Sequence, residues 1–90
     1  MRIRISEEVV ARDLAGEAIL LDLATSTYFG LDAVGARIWQ LLGEHQSTEA
    51  IMPLLLQEYD VDERQLRPDL DKLVQQLLAK RLLIAIDDPV

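Results

Sequence analysis

The chain has no cysteine, one histidine, four glycines and four aromatic residues among its 90. Without cysteine there is no disulfide framework, no thiolate metal site and no thiol nucleophile. The lone histidine, His45, excludes the usual histidine-rich zinc and di-metal constellations. The glycines stand singly, so no phosphate-cradling loop exists. Long apolar runs are missing too, since charge interrupts each one before it could span a bilayer. Met1-Arg2-Ile3-Arg4 carries basic residues with no uninterrupted apolar stretch behind them, which argues against a signal peptide. These absences point to a cytoplasmic protein with no membrane partner. The length predicts one domain over residues 1–90, its core lying between about residues 8 and 86. A chain this short buries only about 60% of its unfolded surface, which leaves little room for a large active site.

Charge is present but lopsided, with 9 basic and 16 acidic side chains and a net charge of −7. Residues 1–61 hold 4 basic and 10 acidic groups, while residues 62–81 hold 5 and 4. Binding to nucleic acid draws on phosphate neutralisation by Lys and Arg, so this balance opposes it. The segment 62–81 is the least repulsive place for an acidic ligand.

The first third reads as strands: Val9–Arg12, then Glu17–Leu23, then Thr27–Leu31. Ala15-Gly16 and Ala24-Thr25-Ser26 are short reversals, so the three strands form an antiparallel meander. From Asp32 the period becomes helical. Asp32 caps a helix with Val34, Ile38, Leu41 and Leu42 on its inner face, ending near Gly43. Ser47 caps a second helix, with Ile51, Leu54 and Leu55 inward and Pro53 near its start. Asp62 opens a third, in which Pro68 predicts a kink or a restart. Beyond it Leu70, Leu73, Val74, Leu77 and Leu78 make a wide apolar stripe. Leu82–Ile86 reads as a final strand or an extended tail, and Asp87-Asp88-Pro89-Val90 as a frayed polar end. The fold class is α+β: a three-stranded antiparallel sheet followed by three helices, in a winged helix-turn-helix-like order.

Catalysis has little support. His45 reads as an exposed connector residue, and Glu44 beside it makes no dyad. Asp60, Asp62 and Glu63 lack the spacing and the glycine of a calcium loop, so Asp62 reads as a helix cap. No metal or cofactor is expected, and the chain does not read as an enzyme. A winged-helix transcriptional regulator is the alternative, since three helices in this order suit one. Against it, the outward residues of the third helix include Asp69 and Asp71, and there is no basic arm. Peptide binding fits better. Thr27–Leu31 is aromatic and free of lysine and proline, an edge that invites pairing. Strand addition would use that edge, and the broad stripe of the third helix would supply a side-chain pocket. On residues alone, a purely core role for Tyr28 and Phe29 stays equally open, and so does self-pairing into a weak homodimer rather than a monomer.

The sequence resembles the PqqD-like family, small peptide-binding proteins also called RiPP recognition elements. The resemblance runs from about Val9 to Leu83. It is carried by Gly16–Asp22, Thr27–Asp32, Gly35, Ile38–Leu42, Tyr59–Asp62, Asp69-Leu70, Leu73-Val74, Leu77 and Leu82-Leu83. It implies a non-catalytic module that captures the leader of a ribosomally made precursor peptide and presents it to modifying enzymes. The leader would lie beside Thr27, Tyr28, Phe29 and Gly30 and against Leu66, Asp69, Leu70, Leu73 and Gln76. The free-standing length looks most like members of lasso-peptide pathways, where the partner enzyme is a leader peptidase. Two departures bear on structure: Pro68, and Arg81 where the family often has glycine, which disfavours a left-handed helix cap.

The charge balance carries its own test. No DNA affinity is expected at physiological salt, as measured by fluorescence anisotropy with a random duplex. A specific complex tighter than about micromolar would restore the regulator reading.

Overall fold

A computed structural model describes residues 1–86, so the expected fraying at 87–90 lies outside the described residues. In chain order the elements are β1 (Ile3–Ile5), β2 (Val9–Leu14), β3 (Glu17–Asp22), β4 (Thr27–Leu31), α1 (Ala33–His45), α2 (Thr48–Glu58), α3 (Glu63–Ala79) and β5 (Leu83–Ala85). The expected meander is there as an antiparallel sheet of order β2-β3-β4, and three helices follow it. Ala15 (φ 53°) and Gly16 (φ 90°) form the first reversal, both left-handed as a two-residue type I′ hairpin requires. At the second, the buried Asp22 folds the chain back on itself: its Oδ1 accepts from the Ala24 amide at 3.0 Å and its carbonyl from Ser26 at 2.8 Å. That turn ends β3 at Asp22 and leaves Leu23, expected within the strand, exposed.

The sequence reading did not anticipate β1. It pairs antiparallel with β5, Ile3 opposite Ala85 and Ile5 opposite Leu83. Ile3 is fully buried, so the core begins before residue 8. The Met1 ammonium bonds Thr48 Oγ1 at 3.1 Å and pairs with the Glu49 carboxylate. That ammonium and the helix-start amide of Glu49 itself hold the Glu49 carboxyl down at about 2.

Two of the expected caps form. Asp32 Oδ1 accepts from Gly35 at 2.8 Å, and Ser47 Oγ accepts from Ala50 at 3.2 Å. Asp62 occupies the third cap position, but only its carbonyl takes part, accepting from Gln65 and Leu66 at 3.0 Å. α3 runs through Pro68 as one helix instead of restarting there. The ring removes a single intrahelical bond. Leu66 (6% exposed) and Leu70 (1%) are locked into the core on either side of it. Arg37 and Glu58 tie α1 to α2, with Nη2 to Oε1 at 2.7 Å.

α3 ends in a Schellman turn: Leu82 N–H donates to the Leu77 carbonyl at 2.9 Å and Arg81 N–H to that of Leu78 at 3.1 Å. Arg81 takes the left-handed position (φ 59°) that the sequence reading disfavoured for a non-glycine residue. Burial of Leu77 and Leu82, both 0% exposed, supplies the apolar contact that normally accompanies this motif and holds the strained residue in place.

Relief of that strain is measurable. Arg81→Gly is expected to stabilise the protein by about 1 kcal/mol and raise the melting temperature by about 4–8 °C. Calorimetry checks it; a lower melting temperature would mean that the arginine side chain contributes more than the strain costs.

Candidate functional site

The site grows from the alternation of β4. On one side β4 bonds to β3; among the described residues no strand lies along its other edge. Leu31, 5% exposed, and the half-buried Phe29 turn toward the helices, whereas Tyr28, 69% exposed, turns to the opposite face of the sheet. Successive strand residues must part in this way. Across the sheet Tyr28 stands opposite Leu21, and Leu21 opposite Val10.

α3 lies across from that edge. Asp69, Leu73 and Gln76, at i, i+4 and i+7, share one line along the helix. Between helix and strand opens a cleft of about 560 Å³, with Phe29, Gly30 and Leu31 on the strand side and Asp69, Leu73 and Gln76 on the helix side. The first turns of α1 contribute the floor through Asp32, Val34, Gly35 and Ile38. Gly35 permits this closeness: a Cβ there would lie 3.2 Å from Asp32 Oδ1 and 3.3 Å from Leu31 Cδ2. Val34, expected on the inner face of α1, is 40% exposed because that turn faces the cleft instead of the core. Past Asp69 and Val34 the cleft continues into a smaller hollow of about 180 Å³ beside Tyr59, Val61, Gln65 and Leu66.

This arrangement suits binding. Phe29, Leu31, Val34, Ile38 and Leu73 share its lining with polar groups, and one of its two carboxylates, Asp32, is already engaged as a helix cap. Among the described residues no group of three or more His, Asp or Glu side chains is placed to hold a metal ion. His45 ends α1, not a connector as expected, and its Nε2 lies 3.9 Å from Glu44 on an exposed surface.

Of the residues singled out in the sequence, Phe29, Gly30, Asp69, Leu73 and Gln76 meet in the one cleft. Thr27 is half-buried at the start of β4, outside the lining, and the Tyr28 side chain points away. Leu70 is core at 1% exposure, and Leu66, at 6%, reaches only the smaller hollow. Both are held there by the buried side of α3, so neither side chain lines the main cleft. Sequence reasoning missed the α1 contribution of Asp32, Val34, Gly35 and Ile38. The available signal was Gly35, a glycine inside a helix, which marks a close approach of another element.

The family model for Coenzyme PQQ synthesis protein D (PqqD) matches residues 17–83. No curated protein sequence matches the chain. Among solved structures, TbiB1 in complex with the TbiA(beta) leader peptide is similar at 44% identity and a TM-score of 0.85, over 94% of this chain and 99% of that one. A lasso peptide synthetase B1 complexed with the leader peptide shares the fold, with a TM-score of 0.82 at 24% identity over 94% and 100% of the two chains.

The half-buried position of Leu73 separates site from core. Leu77→Ala, at a fully buried position, is expected to cost about 2–5 kcal/mol of stability, and Leu73→Ala about 1 kcal/mol. Urea denaturation checks the pair; equal losses would place Leu73 in the core and leave only Asp69 and Gln76 on the helix side of the cleft.

Proposed function

Because the chain belongs to the PqqD family, we propose that it is a non-catalytic adaptor, which binds the leader of a ribosomally made precursor peptide and presents it to a modifying enzyme. The observation that carries this is a likeness of 44% identity over 94% of the chain to a protein solved holding a leader peptide. The open edge of β4 and the cleft beside it support it from this chain's own geometry.

The leader adds as a further strand along Thr27–Gly30. Backbone N–H and C=O groups of β4 supply direction-setting hydrogen bonds, and these are nearly indifferent to sequence. Selectivity comes from alternate side chains of the leader that fall into the cleft. An apolar one packs between Phe29 and Leu73, with Asp69 and Gln76 at the rim. Leu66 and Leu70 act from beneath, by fixing α3 at the right distance. Thr27 and Tyr28 contribute through their backbone.

Presentation needs a surface that the leader leaves free. The outer face of the same sheet exposes Val10 (44%), Leu14 (49%), Ile19 (37%) and Tyr28 (69%). It is continuous with the leader edge, since Tyr28 belongs to both. We assign this face to the modifying enzyme, such as the leader peptidase of a lasso-peptide pathway, working in the cytoplasm. The regulator alternative gains nothing from the structure: exposed Asp69 and Asp71 flank the buried stripe of α3, and such acids oppose the phosphate contacts that a reading helix needs.

Hydrogen exchange and titration calorimetry test the adaptor, with the TbiA(beta) leader and the leaders of precursors encoded beside the gene as probes. At saturation the amides of Thr27–Leu31 are expected to gain protection. Leu73→Ala is expected to weaken binding by about 5- to 150-fold, while Tyr28→Ser changes it by no more than about twofold. Unaltered exchange along β4 with a bound leader would overturn strand addition.

A further inference from the structure

The line of α3 that faces the cleft extends beyond Gln76. Asp69, Leu73, Gln76 and Lys80 follow at i, i+4, i+7 and i+11, so the line begins with an acid and ends with a base. Lys80 Nζ lies 6.0 Å from the centroid of the Phe29 ring, which puts the ammonium beside the strand wall of the cleft. Asp69 lines the cleft together with Leu31, Asp32 and Val34, and with Val34 it also borders the smaller hollow, which places it toward the other end. A rise of about 1.5 Å per residue separates positions 69 and 80 by about 16 Å. Asp32 adds a second carboxylate at the acidic end, and among the described residues no basic side chain lines the cleft itself. Among the described residues neither Asp69 nor Lys80 has an ion-pair partner; the ion pair within α3 joins Glu63 and Arg67 instead.

We propose that the cleft reads the charge polarity of its peptide: the bound strand carries a cationic side chain at the Asp69 end and an anionic one at the Lys80 end, with an apolar side chain between them. This rests on the leader-capture reading and names the class of peptide captured. Side chains on one face of a strand recur every second residue, so those at i and i+4 stand about 13 Å apart. The flexible stem of Lys80 covers the remaining distance. A cation at i, an apolar residue at i+2 and an anion at i+4 therefore match Asp69, the Leu73–Phe29 gap and Lys80 in turn.

The physical need for such a device is specific. Backbone pairing along β4 is satisfied equally well after a slip of two residues, because the same face still points inward. Apolar contact alone resists that slip weakly. Opposite charges at the two ends make one register attractive, and a reversed peptide would set like charges together at both.

The test uses the full chain against a yeast-displayed library of random peptides. Wild type is expected to enrich sequences with basic, apolar and acidic residues at successive alternate positions. The double variant Asp69→Lys/Lys80→Glu is expected to enrich the inverse order, and Asp69→Asn/Lys80→Gln to show no order. Both changes lie at exposed positions, and circular dichroism verifies folding. An enriched peptide with its two charges exchanged is expected to bind wild type about tenfold more weakly at low salt, the gap closing at high salt. Enrichment without polarity, or an unchanged consensus in the charge-reversed variant, would overturn the proposal while leaving leader capture intact. No enrichment by wild type would overturn leader capture, and this inference with it.

Discussion

The position of β3 between two antiparallel neighbours governs the rest of the architecture. Its inward residues Ala18, Leu20 and Asp22 are all buried, and Leu20 is fully so. With those three pinned, the register places Leu31 opposite Ala18 and Phe29 opposite Leu20. A slip of one residue would turn Leu31 and Phe29 out to solvent and bring Tyr28 into the core, so that slip is not tolerated. From that register come the inward wall of the cleft, the outward row Val10–Leu21–Tyr28, and the point at which β4 gives way to the Asp32 cap. α1 then starts beneath the strand because Gly35 leaves space for it.

An open strand edge is normally a hazard, and this sheet has two. The β2 edge carries Arg12 and Asp13, charges that discourage another sheet from pairing there. The β4 edge has neither lysine nor proline, and its protection is geometric. α3 lies across the cleft from it, so a partner approaching that edge meets the helix as well as the strand. A net charge of −7 adds repulsion between copies.

Local signals made much of this legible in the sequence. Ala15-Gly16, Asp32 and Ser47 act through bonds to residues at most a few positions away, and the elements they bound were read within a residue or two. Leu73 could be placed at the margin of its stripe from helical period alone. What escaped depends on distant partners. β1 is three residues long, and only its pairing with β5 at the far end of the chain makes it a strand. Val34 has a core-facing phase in α1, yet faces the cleft because the first turn of that helix projects beyond the core. Leu66 and Leu70 are assigned to the site by resemblance; in this chain both are buried, and of the two only Leu66 reaches a hollow. Arg81 shows propensity overridden: two buried leucines on either side of the turn hold an unfavoured backbone conformation.

The pairing of Ile3 with Ala85 also bears on kinetics. The meander and the helical connections close short loops, whereas the β1–β5 ladder must bring together nearly the two ends of the chain. Loop-closure entropy makes such a contact late in folding and dependent on the rest being in place. The cleft, bounded by β4, α1 and α3, uses no residue of either end strand. Ile3 and Leu83, however, are buried in the same core as the inner faces of α1 and α3, so opening the ladder removes support from the helices that frame the cleft.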